Sequence, residues 1–285
     1  MFQFDFISAR GGILPLVNNE NFILKDVTGM TQTSVALSTN SIPTMDGDSV
    51  NHTQGQPRPI TLFLEVREGK NVETVTRYIL SYVKPKLEGT LHWVMNGRDI
   101  KLKGLVEQAE MPRFTDKAVM QISLYCSQPY WDDVNYIVAR IKLVQDLHFF
   151  PEDKGGLAFP VEGVAFGVYD TNRTTNYTNT GDTSVGITIS INAAGTVTNP
   201  FIYNLTTGEF IGVNTTMKPA DEIVISTHKG AKTITKNGEN IIDLIKDGST
   251  FIQVEVGDNE FQIDCEEDEK SNNVYFTLNF KQRYI

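Results

Sequence analysis

The chain has 285 residues, 40% of them hydrophobic, and a formal net charge of −10 at pH 7. This length and composition suffice for one large domain or two ordinary ones with buried cores. The sequence has no apolar run near the ~18 residues of a membrane span, and its acidic balance excludes nucleic-acid binding driven by counterion release.

The charge is unevenly distributed along the chain. Residues 1–135 hold 13 Lys and Arg against 15 Asp and Glu, whereas residues 136–285 hold 12 against 20. The hydrophobic pattern changes near the same position, from strands around one helix to plain alternation. We therefore predict two domains, 1–135 and 136–285.

The N-terminus predicts a strand rather than a signal peptide, because Phe2, Phe4 and Phe6 alternate with polar residues. Such a strand can pair with a neighbouring molecule or inside its own domain, and the sequence leaves both possibilities open. A polar edge strand is expected over 31–38. Residues 39–59 have no hydrophobic periodicity and predict a long loop, of the kind that is functional or ordered by a partner.

Further along the first domain, one helix and two strands are clearly marked. Apolar residues recur at helical spacing from Asn71 to Val83, and Pro85 ends the pattern. Asn96-Gly97 predicts a tight hairpin turn between two short apolar strands. The closing strand of the domain alternates Met120, Ile122, Leu124 and Cys126 on one face.

A corner follows this closing strand. Pro129 cannot donate to a sheet ladder, and Tyr130 and Trp131 add a large apolar payload where the chain leaves the sheet. Cys126, Pro129, Tyr130 and Trp131 are therefore predicted to form a structural corner at the end of the first domain.

The second half reads as an all-β domain. We predict a strand over 136–144, an apolar run over 158–169 and a surface loop over 172–183. From Ser184, strict alternation with a turn signal about every ten residues is typical of a β-sandwich or barrel. The last predicted strand spans 274–280.

Two cysteines, Cys126 and Cys265, fall in different predicted domains. A disulfide framework is therefore not expected, and both thiols are predicted to be buried and reduced. This usage fits a chain made in a reducing cytoplasm.

The sequence offers no convincing catalytic, cofactor or metal constellation. The four histidines, His52, His92, His148 and His228, lack metal-ligand spacing. Asp46-Gly47-Asp48 is only a fragment of a calcium loop, the acidic run 266–269 reads as a solvated turn, and Glu107 with Glu110 lacks an aromatic groove. We predict no enzyme activity, no cofactor and no metal.

The corner 126–131, Cys-Ser-Gln-Pro-Tyr-Trp, resembles that of the distal tail proteins (Dit) of long, non-contractile-tailed bacteriophages, the siphophages. That family's corner often reads Cys-Pro-Asp-Pro, and here Ser127 and Gln128 occupy its middle. The resemblance extends to the helix end at 82–85 with 89–91, and to segments 179–182, 199–204 and 221–225. It covers nearly the whole chain through motifs that are each short.

The resemblance implies a mainly β fold: an N-terminal α+β domain, sandwich-like with one helix, and a C-terminal galectin-like β-sandwich. It implies a virion structural protein, a baseplate hub at the distal end of the tail, made in the host cytoplasm. The N-terminal domains are expected to form a hexameric ring. Its partners are expected to be the tail tube protein, the tail-associated hub or lysin protein, and receptor-binding or baseplate proteins. DNA passes through the ring without specific binding, and no membrane insertion is expected.

Two other functions are alternatives to the hub role. A galectin-like sandwich is a known sugar-binding scaffold, so a carbohydrate-binding protein of the tail tip is the alternative. Sugar binding usually requires an exposed aromatic platform, and the C-terminal half has no Trp. A tail-tip hydrolase lacks any catalytic cluster.

Overall fold

A computed structural model describes residues 2–31, 34–41, 46–112, 117–142, 144–146, 167–169, 173–266 and 274–285. Its contacts divide the chain into unit 1, Met1–Asn135 with Arg283–Ile285, and unit 2, Tyr136–Gln282. Each unit has its own hydrophobic core. The second domain was predicted to extend to residue 285. Arg283–Ile285 belong to unit 1 instead, and Arg283 and Tyr284 pair with a strand of that unit.

Unit 1 is built on an antiparallel sheet in the order β2-β1-β7-β8-β9-β6-β3, with β10 pairing with β8 and β27. Its strands are β1 (Gln3–Ser8), β2 (Ile13–Pro15), β3 (Phe22–Thr28), β4 (Val35–Ser41), β5 (Asp48–Gly55), β6 (Arg58–Val66), β7 (Glu88–Met95), β8 (Arg98–Glu110), β9 (Val119–Cys126), β10 (Trp131–Asp133) and β27 (Arg283–Tyr284). β4 and β5 form a separate two-stranded sheet.

The predicted helix is confirmed as α1 (Val72–Tyr82). The Asn71 side chain caps it by accepting a hydrogen bond from the backbone N–H of Thr74 at 3.0 Å. Val75 and Ile79, one turn apart, are buried in the core of unit 1.

The predicted turn between β7 and β8 is also confirmed. Asn96 and Gly97 both have positive φ, 52° and 82°, which is the geometry of a primed hairpin turn. The closing strand β9 buries the predicted face, Met120, Ile122, Leu124 and Cys126. Each such side chain contributes roughly 1.5–3 kcal/mol by leaving water.

For three segments of unit 1, the structure differs from the prediction or answers a question that the sequence left open. The predicted loop over 39–59 is wrong, because most of it forms the hairpin β4–β5 and the start of β6. The polar strand expected over 31–38 begins at Val35 and pairs only with β5. The sequence does not decide whether β1 pairs with a neighbouring molecule or inside its own domain. In the structure it pairs on both sides within unit 1, with β2 and β7.

Unit 2 contains two main antiparallel sheets, β11-β26-β16-β21-β22-β23 and β14-β25-β18-β19. Its strands are β11 (Ile137–Lys142), β12 (Val144–Asp146), β13 (Gly167–Tyr169), β14 (Thr174–Asn179), β15 (Val185–Gly186), β16 (Thr188–Ala193), β17 (Val197–Thr198), β18 (Phe201–Asn204), β19 (Glu209–Gly212), β20 (Thr216–Met217), β21 (Glu222–Ser226), β22 (Thr233–Lys236), β23 (Glu239–Asn240), β24 (Gln253–Val254), β25 (Gly257–Asp264) and β26 (Val274–Phe280). A short 3₁₀ helix spans Ile242–Leu244.

The two main sheets of unit 2 bury one shared core. Ile189 and Ile191 of β16 lie in the same buried cluster as Ile202 of β18 and Phe261 of β25. The prediction of a mainly β fold with a C-terminal sandwich is therefore confirmed. Part of the apolar run at 158–169 lies outside the described residues.

The surface loop predicted over 172–183 is wrong for its middle part. Thr174–Asn179 is strand β14, which pairs along its whole length with β25. Threonine favours strands through its branched Cβ. Asn179 at the end of the strand is buried, and its amide is satisfied there by donating to the carbonyls of Thr183 and Val254.

Candidate functional site

The corner, residues 126–131, extends from the end of β9 to the start of β10. Cys126 and Trp131 are buried, 0% and 1% exposed, and Pro129 and Tyr130 between them are half-buried. The Trp131 ring meets the ring of Trp93 edge to face, with centroids 5.9 Å apart. The corner thus joins the core of unit 1 at both ends.

A buried arginine that the sequence did not indicate stands beside the corner. Arg58 lies opposite Cys126 in the β6–β9 pairing and is 1% exposed. Its Nη1 donates to the carbonyl of Met30 at 2.9 Å, and the Trp131 indole N–H donates to the same carbonyl at 3.3 Å. Its Nε and Nη2 atoms have no hydrogen-bond partner within the described ranges. The Met30 carbonyl therefore links Trp131 to Arg58, in addition to the β6–β9 ladder.

A glycine makes this approach possible. Gly29 has φ +85°, and a Cβ at that position would lie 2.0 Å from the carbonyl oxygen of Pro59. Only glycine allows the chain before Met30 to lie this close to β6. This close packing places the Met30 carbonyl within reach of Arg58 and Trp131.

Burial controls the ionisation of the pair at β6 and β9. It raises the pKa of Cys126 to about 11, although the charge of Arg58 acts in the opposite direction. Burial also lowers the pKa of Arg58, while Cys126 and Tyr130 oppose that change. Cys126 is therefore a protonated thiol at neutral pH rather than a nucleophile. Both cysteines are free and buried, as predicted.

The C-terminal residues close the other side of the corner. Trp131 pairs with Tyr284 and Asp132 with Arg283 in the β10–β27 ladder. The Arg283 Nε donates to Asp132 Oδ1 at 2.7 Å, and the Arg98 guanidinium lies over the Tyr284 ring, 4.8 Å from its centroid. No signal near residue 283 predicts this pairing, because its partner lies 151 residues away.

The base of the β4–β5 hairpin lies next to the corner. A Cβ placed on Gly55, the last residue of β5, would lie 3.6 Å from the Tyr130 hydroxyl and 3.7 Å from Pro129 Cγ. Pro129 and Tyr130, the two half-buried members of the predicted corner, therefore lie against the base of the hairpin. Every residue of β4 and β5 is exposed.

The hairpin carries a narrow apolar stripe. Leu37 lies opposite Thr53, Val35 opposite Gly55, and Thr39 opposite Val50. Because directly paired residues of an antiparallel ladder share a face, Val35, Leu37 and Val50 lie on one side of the hairpin. Leu37 is 60% exposed and Val50 54%. This set is called the hairpin stripe below.

The candidate chemical groups lie apart from the corner and in ordinary structural roles. His92 Nε2 lies 2.7 Å from Asp99 Oδ1, His228 Nε2 lies 3.1 Å from Thr188 Oγ1, and His52 is exposed in β5. His148 lies outside the described residues. No group of three His, Cys, Asp or Glu side chains capable of holding a metal occurs in the described part of the chain.

The acidic candidates are similarly dispersed. Glu107 and Glu110 lie exposed on β8, and Asp46-Gly47-Asp48 forms the turn into β5. Glu266 accepts hydrogen bonds from Asn199 and Lys246, which lower its pKa, and the rest of the acidic run lies outside the described residues. Among the helices that the structure describes, none is long and apolar enough to cross a membrane.

Fold and site together define a two-unit β protein with a buried corner and an exposed hairpin arm. Residues 180–284 match the family model of the siphovirus-type tail component, C-terminal domain. The whole chain also has the fold of a distal tail protein. It aligns with the crystal structure of SPP1 Dit, described as a paradigm of hub adsorption apparatus in phages infecting Gram-positive bacteria, with a TM-score of 0.65, 12% identity and 98% coverage of each chain. The resemblance predicted from the sequence is confirmed.

A chain of the phage P2 baseplate in its activated conformation with calcium aligns over 100% of both chains. Its TM-score is 0.48 and its identity 11%, which is too loose an alignment to support an argument about function. No curated protein matches the chain.

Proposed function

We propose that this chain is the structural hub protein at the distal end of a siphophage tail. The observation that carries this proposal is that the described fold follows SPP1 Dit over 98% of the chain. The match of residues 180–284 to a siphovirus-type tail component supports it from the sequence side. A protein with this role acts by assembly and not by catalysis.

Unit 1 forms the ring in this proposal, and the hairpin stripe supplies one of its contacts. A lone two-stranded hairpin is at best marginally stable in water, and this one exposes Val35, Leu37 and Val50 on a single face. Packing that face against a second copy removes it from water and stabilises the arm. The stripe is therefore the surface of unit 1 best suited to self-association.

A ring requires a second, different patch on the same unit, because each copy meets one neighbour with each side. Leu105 of β8 and Tyr125 of β9 lie directly opposite each other and are both exposed, 40% and 41%. We assign this pair as the surface that receives the stripe of the next copy. The copy number, six, comes from the resemblance to distal tail proteins.

The ring joins the tail tube protein to the tail-associated hub or lysin protein and to receptor-binding or baseplate proteins. Residues 1–135 hold 13 basic and 15 acidic residues, so the ring is close to neutral. A bore without net positive charge lets DNA pass, because it does not collect the phosphates. The protein is made in the host cytoplasm and resides in the virion, without membrane insertion.

The test of the hub role is the position of the protein in assembled particles. A particle carrying an epitope tag after Ile285 is labelled with gold-conjugated antibody and imaged by electron microscopy. The proposal expects gold at the end of the tail distal from the capsid. Gold distributed along the tail tube, or on the capsid, would contradict it.

A further inference from the structure

The outer surface of the four-stranded sheet in unit 2 carries three aromatic rings. Alternation along β18 buries Ile202 and Asn204 and turns Phe201 and Tyr203 outward. Tyr203 pairs directly with Phe210 of β19. The Tyr203 ring centroid lies 5.3 Å from that of Phe201 and 5.4 Å from that of Phe210. These three half-buried residues form the aromatic face.

Two polar groups at this face have no hydrogen-bond partner among the residues that the structure describes. Gln262 of β25 lies directly opposite Tyr203 on the same side of the sheet. Neither its side-chain amide nor the Tyr203 hydroxyl makes a hydrogen bond to any described residue. The amide offers two donors and an acceptor, and the hydroxyl offers one donor and two acceptor lone pairs. Both groups are half-buried beside the rings, so a ligand there meets apolar and polar contacts together.

The charges around the face are acidic in balance. Lys246 lies over the Phe201 ring at 4.7 Å and is paired with Glu266, and Arg173 is paired with Asp264. Glu260, two residues before Gln262 on the same face of β25, has no cationic partner in the described part of unit 2. An anionic ligand is therefore repelled, and an uncharged one is not.

We propose that the aromatic face binds a neutral pyranose of a glycan. The C–H surface of the sugar ring packs against Tyr203 and Phe210, and its hydroxyls bond to Gln262 and the Tyr203 hydroxyl. The second half of the chain has no Trp, and the sequence therefore counted against a sugar site. Phe and Tyr brought together from two strands provide the platform instead. The site lies wholly within unit 2, so it stands or falls independently of the ring.

The test uses saturation-transfer NMR on the full-length protein with D-glucose, D-galactose and N-acetyl-D-glucosamine, each measured separately. Glucose 6-phosphate serves as the anionic counterpart. At least one neutral sugar is expected to show transfer, and the phosphate to show several-fold less than glucose.

Tyr203→Ala is expected to abolish the transfer. Gln262→Ala is expected to weaken binding about tenfold, as for loss of hydrogen bonds worth roughly 1.4 kcal/mol. Tyr136→Ala, which removes an exposed aromatic elsewhere in unit 2, is expected to change nothing.

The proposal is overturned if the intact protein shows transfer with none of the three neutral sugars. It is also overturned if glucose shows transfer and glucose 6-phosphate shows as much, or if folded Tyr203→Ala retains the transfer of the sugar that the intact protein binds. Should Tyr203→Ala fail to fold, Gln262→Ala and Tyr203→Phe decide, because both keep the ring packing. Unchanged transfer in either variant would overturn the site, and reduced transfer in both would support it.

Discussion

Two adjacent parts of unit 1, the corner and the β4–β5 hairpin, are built in opposite ways. Cys126 and Trp131 of the corner are buried. The carbonyl of Met30 accepts hydrogen bonds from Trp131 and from Arg58 of the neighbouring strand β6. The hairpin, which starts against the corner at Gly55, exposes every residue of both strands. Contacts among the described residues therefore account for the corner but leave the hairpin stripe uncovered. The corner contributes to the core of unit 1, and the hairpin is the part that we propose to act in assembly.

Changes in the corner should lower the stability of unit 1. Trp131→Ala removes the ring packed against Trp93 and a hydrogen bond to Met30. We expect a loss of about 3–5 kcal/mol in the free energy of unfolding of unit 1, measured by urea denaturation. Phe2→Ala is the control, since Phe2 is an aromatic residue that is 51% exposed, and it should not change that stability. A Trp131→Ala protein as stable as the parent would show that the corner is not part of the core.

A strand of unit 1 can be predicted from the sequence where several alternating residues are buried, as in β9, but the short strands β2, β10 and β27 were not predicted. β9 was predicted because Met120, Ile122, Leu124 and Cys126 alternate with less buried residues. Of the hairpin, only part of β4 was predicted, as the polar strand over 31–38. Its pairing with β5 was not, because Val35, Leu37 and Val50 are too few and too far apart in sequence to mark two amphipathic strands. Arg58 and the return of Arg283 depend on pairings made only in the folded chain, and no local pattern encodes them.

A smaller effect is expected from deleting Arg283–Ile285. The deletion removes the buried Tyr284 and the ion pair between Arg283 and Asp132. Unit 1 should lose about 2 kcal/mol, mostly from the tyrosine, because the ion pair is partly exposed to water. Unit 2, whose core contains none of these residues, should keep its melting transition, and residues 136–282 alone should show the same transition. Equal destabilisation of both units would contradict the separate cores.

The smallest effect concerns the thiols. With a pKa of about 11, only about a thousandth of Cys126 is thiolate at pH 8, so thiol reagents should label the native protein slowly and the denatured protein quickly. The folded pKa is the higher one, so this group stabilises unit 1 below the unfolded pKa near ~8.5 and loses that effect as the pH rises towards 11. Cys126→Ala should abolish this part of the pH dependence. Rapid labelling of native Cys126, or a Cys126–Cys265 disulfide, would contradict its burial.

The central claim is that the hairpin stripe assembles copies of this chain into a closed ring, and the native mass of the full-length protein tests it most directly. The intact protein should have six times the 31.9-kDa mass of one chain. Leu37→Ser combined with Val50→Ser should have the mass of one chain with unit 1 still folded, because both side chains are exposed and outside the core. Leu205→Ser, an exposed leucine of unit 2, should keep the ring. An intact protein that remains monomeric at high concentration, or a double variant that keeps the ring mass, would contradict the account.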